Sequence, residues 1–589
     1  MSLIFDLEAD GLLKQATKVH CIALCNTETG NVWSYGPDEI EKGLDELYQA
    51  DVIAAHNGTT YDLPLLRKLY GWNRRPGQRL IDTLVVARLL YPNIKNEDYA
   101  RVDFDPKLIG SHSLRAWGIR LGELKGDFDG PWDEWSERMQ IYCEQDVRTT
   151  HRLLRHLKPW EYAAVPLELE HRVAEICHEM QEQGWTFDMK KAQDLYTMLI
   201  AQKDQIEKQL VEKFGQWEEL DKVLIPKRDN KKLGYTAGVP VEKYKTVVFN
   251  PGSRVHIEKK LREAGWEPEE FTDSGRAKLD EPIISKIKQD EAQLLVKYLL
   301  IQKRTSQIGF GDSGWLRLVG QDGRLHGSIN SLGTVTGRAT HSNPNISQVP
   351  SNKVEYGKDC RSCFTSPKGW KLVGADMAGL ELRTFAHYLA SFDNGEYAKV
   401  VCEGDVHTFN QEAAGLPDRN MAKTFIYAWL FGAGDQKIGS IVGGSTSAGR
   451  RLKERFLNKV PAIAKLKNAV DASVGKGWVK GLDGRKLHVR SSHAGLNLLC
   501  QSSGAILCKQ WLVSFYDQMV TEGYKHGYQG DFVICGWIHD ELQVACKEEL
   551  TAVVGDVLVY CAKTVGEPFD FKVPLSSSYV IGDNWSETH

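Results

Sequence analysis

The stretch from Asp418 to Gly434 constrains this chain most. It reads Asp-Arg-Asn-Met-Ala-Lys-Thr-Phe-Ile-Tyr-Ala-Trp-Leu-Phe-Gly-Ala-Gly and contains no proline. Asp418 follows Pro417 and suits an N-cap, while glycines close the far end. The spacing predicts one helix of about four turns. Arg419, Lys423, Tyr427 and Phe431 fall four apart, each step rising about 6 Å at nearly one azimuth. That face presents two cations in line and then two aromatic rings, which is the shape of a nucleoside triphosphate. Arginine forks onto phosphate oxygens, whereas lysine is a compact charge. A solvated basic edge beside a buried aromatic stripe has the same spacing, so the rest of the chain must decide between them.

Two acidic strands bear on that decision. Trp370–Asp376 reads as a buried strand ending in an acid, followed by Met377, Ala378, Gly379, Leu380 and Glu381. Val533–Ala545 carries apolar runs around His539-Asp540-Glu541, as a hairpin with an acidic turn does. Either acid alone is more simply a turn residue. Two carboxylates raised on strand ends beside a triphosphate-shaped helix suit metal-assisted nucleotidyl transfer.

A second acidic set lies at the N-terminus. Apolar residues alternate with Asp6 and Glu8 from Leu3 to Gly11, so a strand projects both carboxylates from one face. Alternating acids are more often an exposed polar edge. Here Asp62 follows the turn His56–Tyr61, and Tyr142 and Asp146 stand one helical turn apart. Asp82, before Thr-Leu-Val-Val-Ala-Arg, reads as a helix cap.

At 589 residues the chain exceeds one core, and several domains are expected. A net charge of only −4 requires that any polyanion be met by local basic patches. One such patch runs from Lys222 to Arg262, with eleven Lys or Arg against three Asp or Glu. It falls between two expected long helices, Lys190–Phe214 and Glu281–Ile308, and reads as a basic tip on a helical arm. A charge run can equally be solvated surface. The twelve cysteines are scattered, and Cys360-x-x-Cys363 lacks a partner pair for zinc. They read as reduced thiols of a cytoplasmic protein. No apolar run spans a bilayer, and the N-terminus carries acids where a signal peptide is basic.

Four acids and a tyrosine in this order resemble the DEDDy class of 3′–5′ exonucleases, over Leu3 to about Leu157. The resemblance implies that Asp6, Glu8, Asp62 and Asp146 hold two divalent ions and that Tyr142 orients the attacking water. The later stretches resemble motifs A, B and C of family A DNA polymerases, the DNA polymerase I family, and most closely those of T-seven-like short-tailed phages. Thr336–Thr340, Gly404–Thr408, Lys480–Arg490, Asn497–Gln501 and the ending Gly582–His589 support it.

The resemblance implies an α/β multidomain protein: a ribonuclease H-like exonuclease domain at 1–165 and a right-hand polymerase domain at 166–589. The thumb would be about 188–304, the palm about 305–400 and 505–589, and the fingers about 401–504. Asp376, Asp540 and Glu541 are the expected catalytic carboxylates. Asp376, Asp540 and the Met377 carbonyl would hold two Mg²⁺, with two more at the exonuclease site and Mn²⁺ as a substitute. His407, Arg419 and Lys423 would bind phosphates, Tyr427 would stack on the incoming nucleotide, and Glu381 would exclude a 2′-hydroxyl. Arg338, Asn497, Gln501 and His539 would touch the primer–template minor groove, where acceptors common to all pairs allow sequence-independent checking.

Two positions depart from the family pattern: Ala378 replaces a serine, and Phe431 replaces a tyrosine before Gly432. The partners implied are primer–template DNA, dNTPs, a phage helicase–primase and a single-stranded-DNA-binding protein. Thioredoxin is not expected, because the interval from Phe214 to Phe249 is much shorter than the family's long thumb insertion. The function implied is replicative DNA synthesis with proofreading. A repair polymerase of the same family, an accessory DNA-binding protein with degenerate sites and a single-subunit RNA polymerase are the alternatives. The complete carboxylate sets, Glu381 and the exonuclease-like region weigh against the last two.

Overall fold

The alternating N-terminal segment is strand β1 (Ser2–Ala9) in a computed structural model that describes all residues except 273, 288, 289, 492 and 493. Leu3, Phe5 and Leu7 are buried on one side, and Asp6 and Glu8 share the other. β1 is central in a five-stranded sheet with β2 (Val19–Asn26), β3 (Val32–Tyr35), β4 (Val52–Ala55) and β5 (Arg79–Asp82), in the order β3-β2-β1-β4-β5. It pairs antiparallel with β2 and parallel with β4. Helix α1 (Asp62–Tyr70) begins at Asp62 itself, and α2 (Thr83–Leu90) is capped by Asp82 as expected. Helix α3 (Glu137–Leu157) packs Met139, Cys143, Val147 and Leu154 against the sheet beside Ile4 and Ala23. That packing turns Tyr142 and Asp146 towards the acids of β1.

The chain divides into two compact units: Met1–Trp185 with His326–Val349 and Thr365–His589, and Thr186–Leu325 with Pro350–Phe364. Helix α4 (Ala164–Gln183) belongs to the first. The second holds α5 (Met189–Phe214), whose buried Leu195, Leu199, Ile206 and Leu210 form its expected apolar side. The expected partner helix Glu281–Ile308 is in fact two, Glu281–Ile284 and α7 (Asp290–Ile308), and residues 288 and 289 lie outside the described residues.

The basic interval, read as the tip between these helices, has no conformation assigned by its charge. It begins with a two-stranded antiparallel ribbon, β6 (Gln216–Leu224) and β7 (Val241–Val248), and only α6 (Arg254–Glu263) within it is helical. The reason is visible in the residues: Trp217, Val223, Val241, Tyr244, Thr246, Val247 and Val248 favour strands, and the charges among them keep the ribbon solvated. Between the strands Gly234 and Gly238 take φ of 69° and 76°, which side chains resist.

The first unit resumes with strand β8 (Trp370–Met377) and helices α8 (Leu380–Asp393), α9 (Val406–Ala414) and α10 (Arg419–Leu430). Then come α11 (Gly495–Thr521), β9 (Phe532–Ile538), β10 (Glu541–Lys547), α12 (Thr551–Thr564) and β11 (Ser577–Gly582). The antiparallel sheet runs β9-β10-β8-β11. Trp511 and Phe515 of α11, Val173 and Ile176 of α4, and Val554 and Leu558 of α12 cover it with Val373 and Val544. A layer of this kind holds the strand ends rigid, which a site needs.

Candidate functional site: two carboxylate centres

The first centre lies on β1, α1 and α3. Asp62 is buried and Asp6 half-buried, and burial together with neighbouring carboxylates holds Asp6 well above the usual range. The same two causes push Glu8 up to about 8; burial pushes Asp62 to about 7 and Asp146 to about 6. Oxygen Oδ1 of Asp146 is buried without a hydrogen-bond partner. Asp6, Glu8 and the thiol of Cys143 bring ligand atoms within 4.8 Å of one another. Hard oxygen donors that repel one another in a cleft fit divalent cations.

Asp82 lies outside this set. Its side chain accepts from the backbone N–H groups of Asn57, Thr59 and Leu84 at 2.9, 3.1 and 2.9 Å, fixing the turn that leads to Asp62. Sequence reasoning missed Lys125. Its Nζ lies 2.5 Å from Asp146 Oδ2 and 4.8 Å from the Tyr142 ring centre. Burial alone would lower the Lys125 pKa, but Asp146 and Asp6 raise it. The loop before α3 has no periodicity, so only its basic residue between glycine-rich ends could have marked it.

The second centre lies where β8 and β10 pair. The register sets Asp376 opposite Glu541, and the Met377 N–H donates to the Asp540 carbonyl at 3.0 Å. Residues 539 and 540 form the tight turn between β9 and β10, with His539 at φ 59°. Glu541 is buried; its Oε1 accepts from Trp585 Nε1 at 2.5 Å and Gln543 Nε2 at 2.8 Å. His589, also missed from the sequence, places Nδ1 3.0 Å from Glu541 Oε2 and 3.4 Å from Asp376 Oδ2. Asp376, Glu541 and His589 form a second cluster of metal-ligating type.

Arg338, Glu381, His539 and Asp540 line one cavity of about 110 Å³. Within it Arg338 Nη2 stands 3.9 Å from Glu381 Oε1. Burial and then Glu381 raise the Asp540 carboxyl, and burial and then Arg338 lower the His539 imidazole. Tyr427 belongs to the same field: burial first, then Glu381 and Asp540, raise its phenol. Asn497 and Gln501 stand four apart on α11, which also supplies Cys500, Gly504 and Cys508 to the cavity wall.

α10 starts as its sequence indicates but ends at Leu430, shorter than the four turns expected. The Asp418 side chain accepts from Asn420 and Met421 N–H at 2.8 and 2.9 Å. Tyr427 and Phe431 stack with ring centres 6.3 Å apart, although Phe431 is the residue after the helix's last turn. Arg419 Nε donates to Asp405 Oδ2 at 2.7 Å, and Asp405 caps α9. Burial, then Arg419 and Lys423, depress the His407 imidazole, so these three residues share one electropositive field. Such a field beside paired acids accepts an anion whose reacting end lies at the acids.

All twelve cysteines are free thiols. No helix among the described residues is long and apolar enough to cross a membrane.

Comparison with known proteins agrees with this geometry. Residues 237–587 match DNA polymerase family A, and residues 3–158 match the RNase H superfamily. The chain is 38% identical to a DNA-directed DNA polymerase of Enterobacteria phage T3 and 37% identical to that of Escherichia phage T7, with all of each chain covered. Both alignments run over 703 positions against 589 residues here, so the relatives carry segments this chain lacks. The fold is also that of the POL domain of Pol1 from M. smegmatis in complex with DNA primer-template and dNTP, at a TM-score of 0.74 and 17% identity, covering 99% of this chain and 96% of that one. This chain belongs to DNA polymerase family A and carries an RNase H-superfamily domain at its N-terminus.

Proposed function

We propose that this polymerase is the replicative DNA-directed DNA polymerase of a bacteriophage, extending a primer 3′ end with dNTPs and excising from that end through its N-terminal domain. The observation that carries the reading is that one chain holds two carboxylate centres on two separate sheets. One stands beside a cationic and aromatic helix, and the other does not.

Divalent ions at such centres activate the entering oxygen and stabilise the leaving one. Asp376, Asp540 and the Met377 carbonyl are the groups to hold them for synthesis, as Asp6, Glu8, Asp62 and Asp146 are for excision. We take Mg²⁺, two ions per centre, as the resident metal. Arg419, Lys423 and His407 bind the triphosphate tail, and Tyr427 stacks on its base and sugar. Glu381, in the cavity wall with Asp540, crowds the 2′ position. Arg338, His539, Asn497 and Gln501 read the minor groove of the terminal pairs. In the exonuclease centre Tyr142 orients the water, and Lys125 holds Asp146 and the tyrosine ring in place.

In domain terms, residues 1–165 excise and 166–589 synthesise, with thumb about 188–304, fingers about 401–504 and palm in the remaining segments. The enzyme works in the host cytoplasm with a helicase–primase and a single-stranded-DNA-binding protein. It does so without thioredoxin: a folded partner needs about 800 Å² of docking surface per side, and the interval from Phe214 to Phe249 holds only a two-stranded ribbon and its connection. The test is primer extension on a DNA template with dNTPs, with NTPs and with no nucleotide, and with or without reduced thioredoxin. Extension with dNTPs, shortening without nucleotide and no gain in length from thioredoxin are expected. Preferential use of NTPs, or a large gain with thioredoxin, would contradict the corresponding part of the reading.

A further inference from the structure

Four charged side chains are buried together outside both carboxylate centres. Glu170 is on α4, Lys509 on α11, and Asp483 and Arg485 lie in the turn between strands Trp478–Lys480 and Lys486–His488. Glu170 and Lys509 have no exposed surface, and Arg485 is 2% exposed. Lys509 Nζ donates to both Glu170 oxygens, at 2.6 and 2.7 Å. Arg485 reaches the same carboxylate through Nη1 at 2.8 Å. Its Nε and Nη2 donate to Asp483 at 3.0 and 2.7 Å.

Two acids and two bases cancel, yet an apolar cluster of equal volume is often as stable or more so. Burial even pulls Lys509 down to about 8 against the pull of Glu170. The quartet therefore needs a reason beyond stability, and its neighbour supplies one. Gly337 takes φ +77°, and a Cβ there would lie 3.0 Å from Arg485 Nη1 and 3.9 Å from Lys509 Nζ. The Arg485 guanidinium thus occupies the space a side chain at Gly337 would take, with the Lys509 ammonium just behind it. The next residue is Arg338, whose N–H donates to Thr334 Oγ1 at 3.0 Å and whose side chain lines the cavity with Glu381, His539 and Asp540.

We propose that Glu170 is a positioning residue for Arg338. By fixing Arg485 and Lys509 from α4, it sets the height of the Gly337–Arg338 backbone and so the reach of the guanidinium into the minor groove. A mispaired terminus shifts the groove acceptors, and the contact discriminates only if Arg338 cannot follow them. This inference rests on reading Arg338 as a minor-groove contact.

The test measures single-turnover extension of matched and mismatched primer ends, with urea melting of every variant. Glu170→Gln combined with Lys509→Met removes one charge of each sign and leaves Arg485 paired with Asp483. Its matched-to-mismatched ratio is expected to fall about ten-fold, the scale of one misplaced hydrogen-bonded contact. Glu170→Asp keeps the charge, withdraws the carboxylate by one methylene and should give a smaller fall in the same direction. Arg338→Ala should lower the ratio at least as far, and adding the Glu170 and Lys509 changes to it should lower the ratio no further. An unchanged ratio in folded Glu170 variants would overturn the proposal. So would a further fall in the triple variant, because Glu170 would then act by another route. If Arg338→Ala itself leaves the ratio unchanged, the minor-groove reading fails first and takes the proposal with it.

Discussion

Burial raises the cost of ionising Asp6, Glu8, Asp62 and Asp146, and Asp62 and Asp146 raise it further for Asp6 and Glu8, which gives the protein a pH signature. Their folded pKa values lie above the unfolded range, with Glu8 at about 8 and Asp62 at about 7. Between about pH 4 and pH 8 these four groups therefore bind more protons in the folded than in the unfolded state, and their contribution to stability falls as pH rises through that window. Half-buried histidines such as His56, lowered to about 4 by desolvation, act in the opposite direction. The effect is cleanest as a difference from Asp6→Ala/Glu8→Ala. In chelator the wild type is expected to lose on the order of 2 kcal/mol or more relative to that variant from pH 5 to pH 8, and Mg²⁺ should restore it. Urea melts at both pH values check this, and a relative gain with rising pH would refute the cluster's electrostatics.

Glu381 is a second residue with a single expected readout. It lines the Asp540 cavity, so Glu381→Ala should raise incorporation of ribonucleotides relative to deoxyribonucleotides by about ten-fold or more. Unchanged discrimination in a primer-extension competition would place the filter elsewhere. Both acidic centres were legible as residues: period two and period four put the N-terminal acids on one face, and Asp376 and Asp540 stand at a strand end and a hairpin turn. Lys125 and His589 were not, since each enters its centre through tertiary packing that local spacing does not record.

At the scale of elements, α10 followed from its residues: Asp418 caps it, no proline interrupts it, and its cations precede its rings. Tyr427→Phe removes a phenol near Glu381 and Asp540, and the variant is expected to reject dideoxynucleotides more strongly than the wild type. Equal use of dideoxynucleotides by both forms would make the hydroxyl irrelevant. The ribbon is the counter-example. Composition gave its charge and left its conformation open, because a charge count carries no period.

The ribbon's register adds what composition could not. Lys222 pairs with Lys243 and Glu219 with Lys245, so these side chains share one face. Leu220 pairs with Tyr244 on the other, where Val223 and Val248 are also exposed. The basic face and the connecting segment, with Lys227, Arg228, Lys231 and Lys232, suit a phosphate backbone. Reversing the charges of Lys231 and Lys232 should shorten processive products severalfold at moderate salt, and the difference from the wild type should narrow as rising salt screens these contacts. Single-nucleotide insertion should change little. Unaltered product length across a salt series would separate the ribbon from DNA.

For the whole molecule, the order of motifs along the chain identified the two activities, because each motif is local and its order is preserved. What the sequence could not reveal was the joining of distant segments. Glu170, Asp483, Arg485 and Lys509 carry no shared spacing, and only folding brings them under Gly337. The same scale holds the central claim, that one chain builds and removes DNA at two chemically independent centres. The direct measurement is one labelled primer–template in Mg²⁺, with or without dNTPs, given to the wild type, to Asp540→Asn and to Asp6→Ala/Glu8→Ala. The wild type is expected to lengthen the primer with dNTPs and shorten it without them. Asp540→Asn should only shorten it, and Asp6→Ala/Glu8→Ala should only lengthen it. Loss of both activities in either folded variant, or Mg²⁺-dependent excision surviving in the second, would contradict the claim.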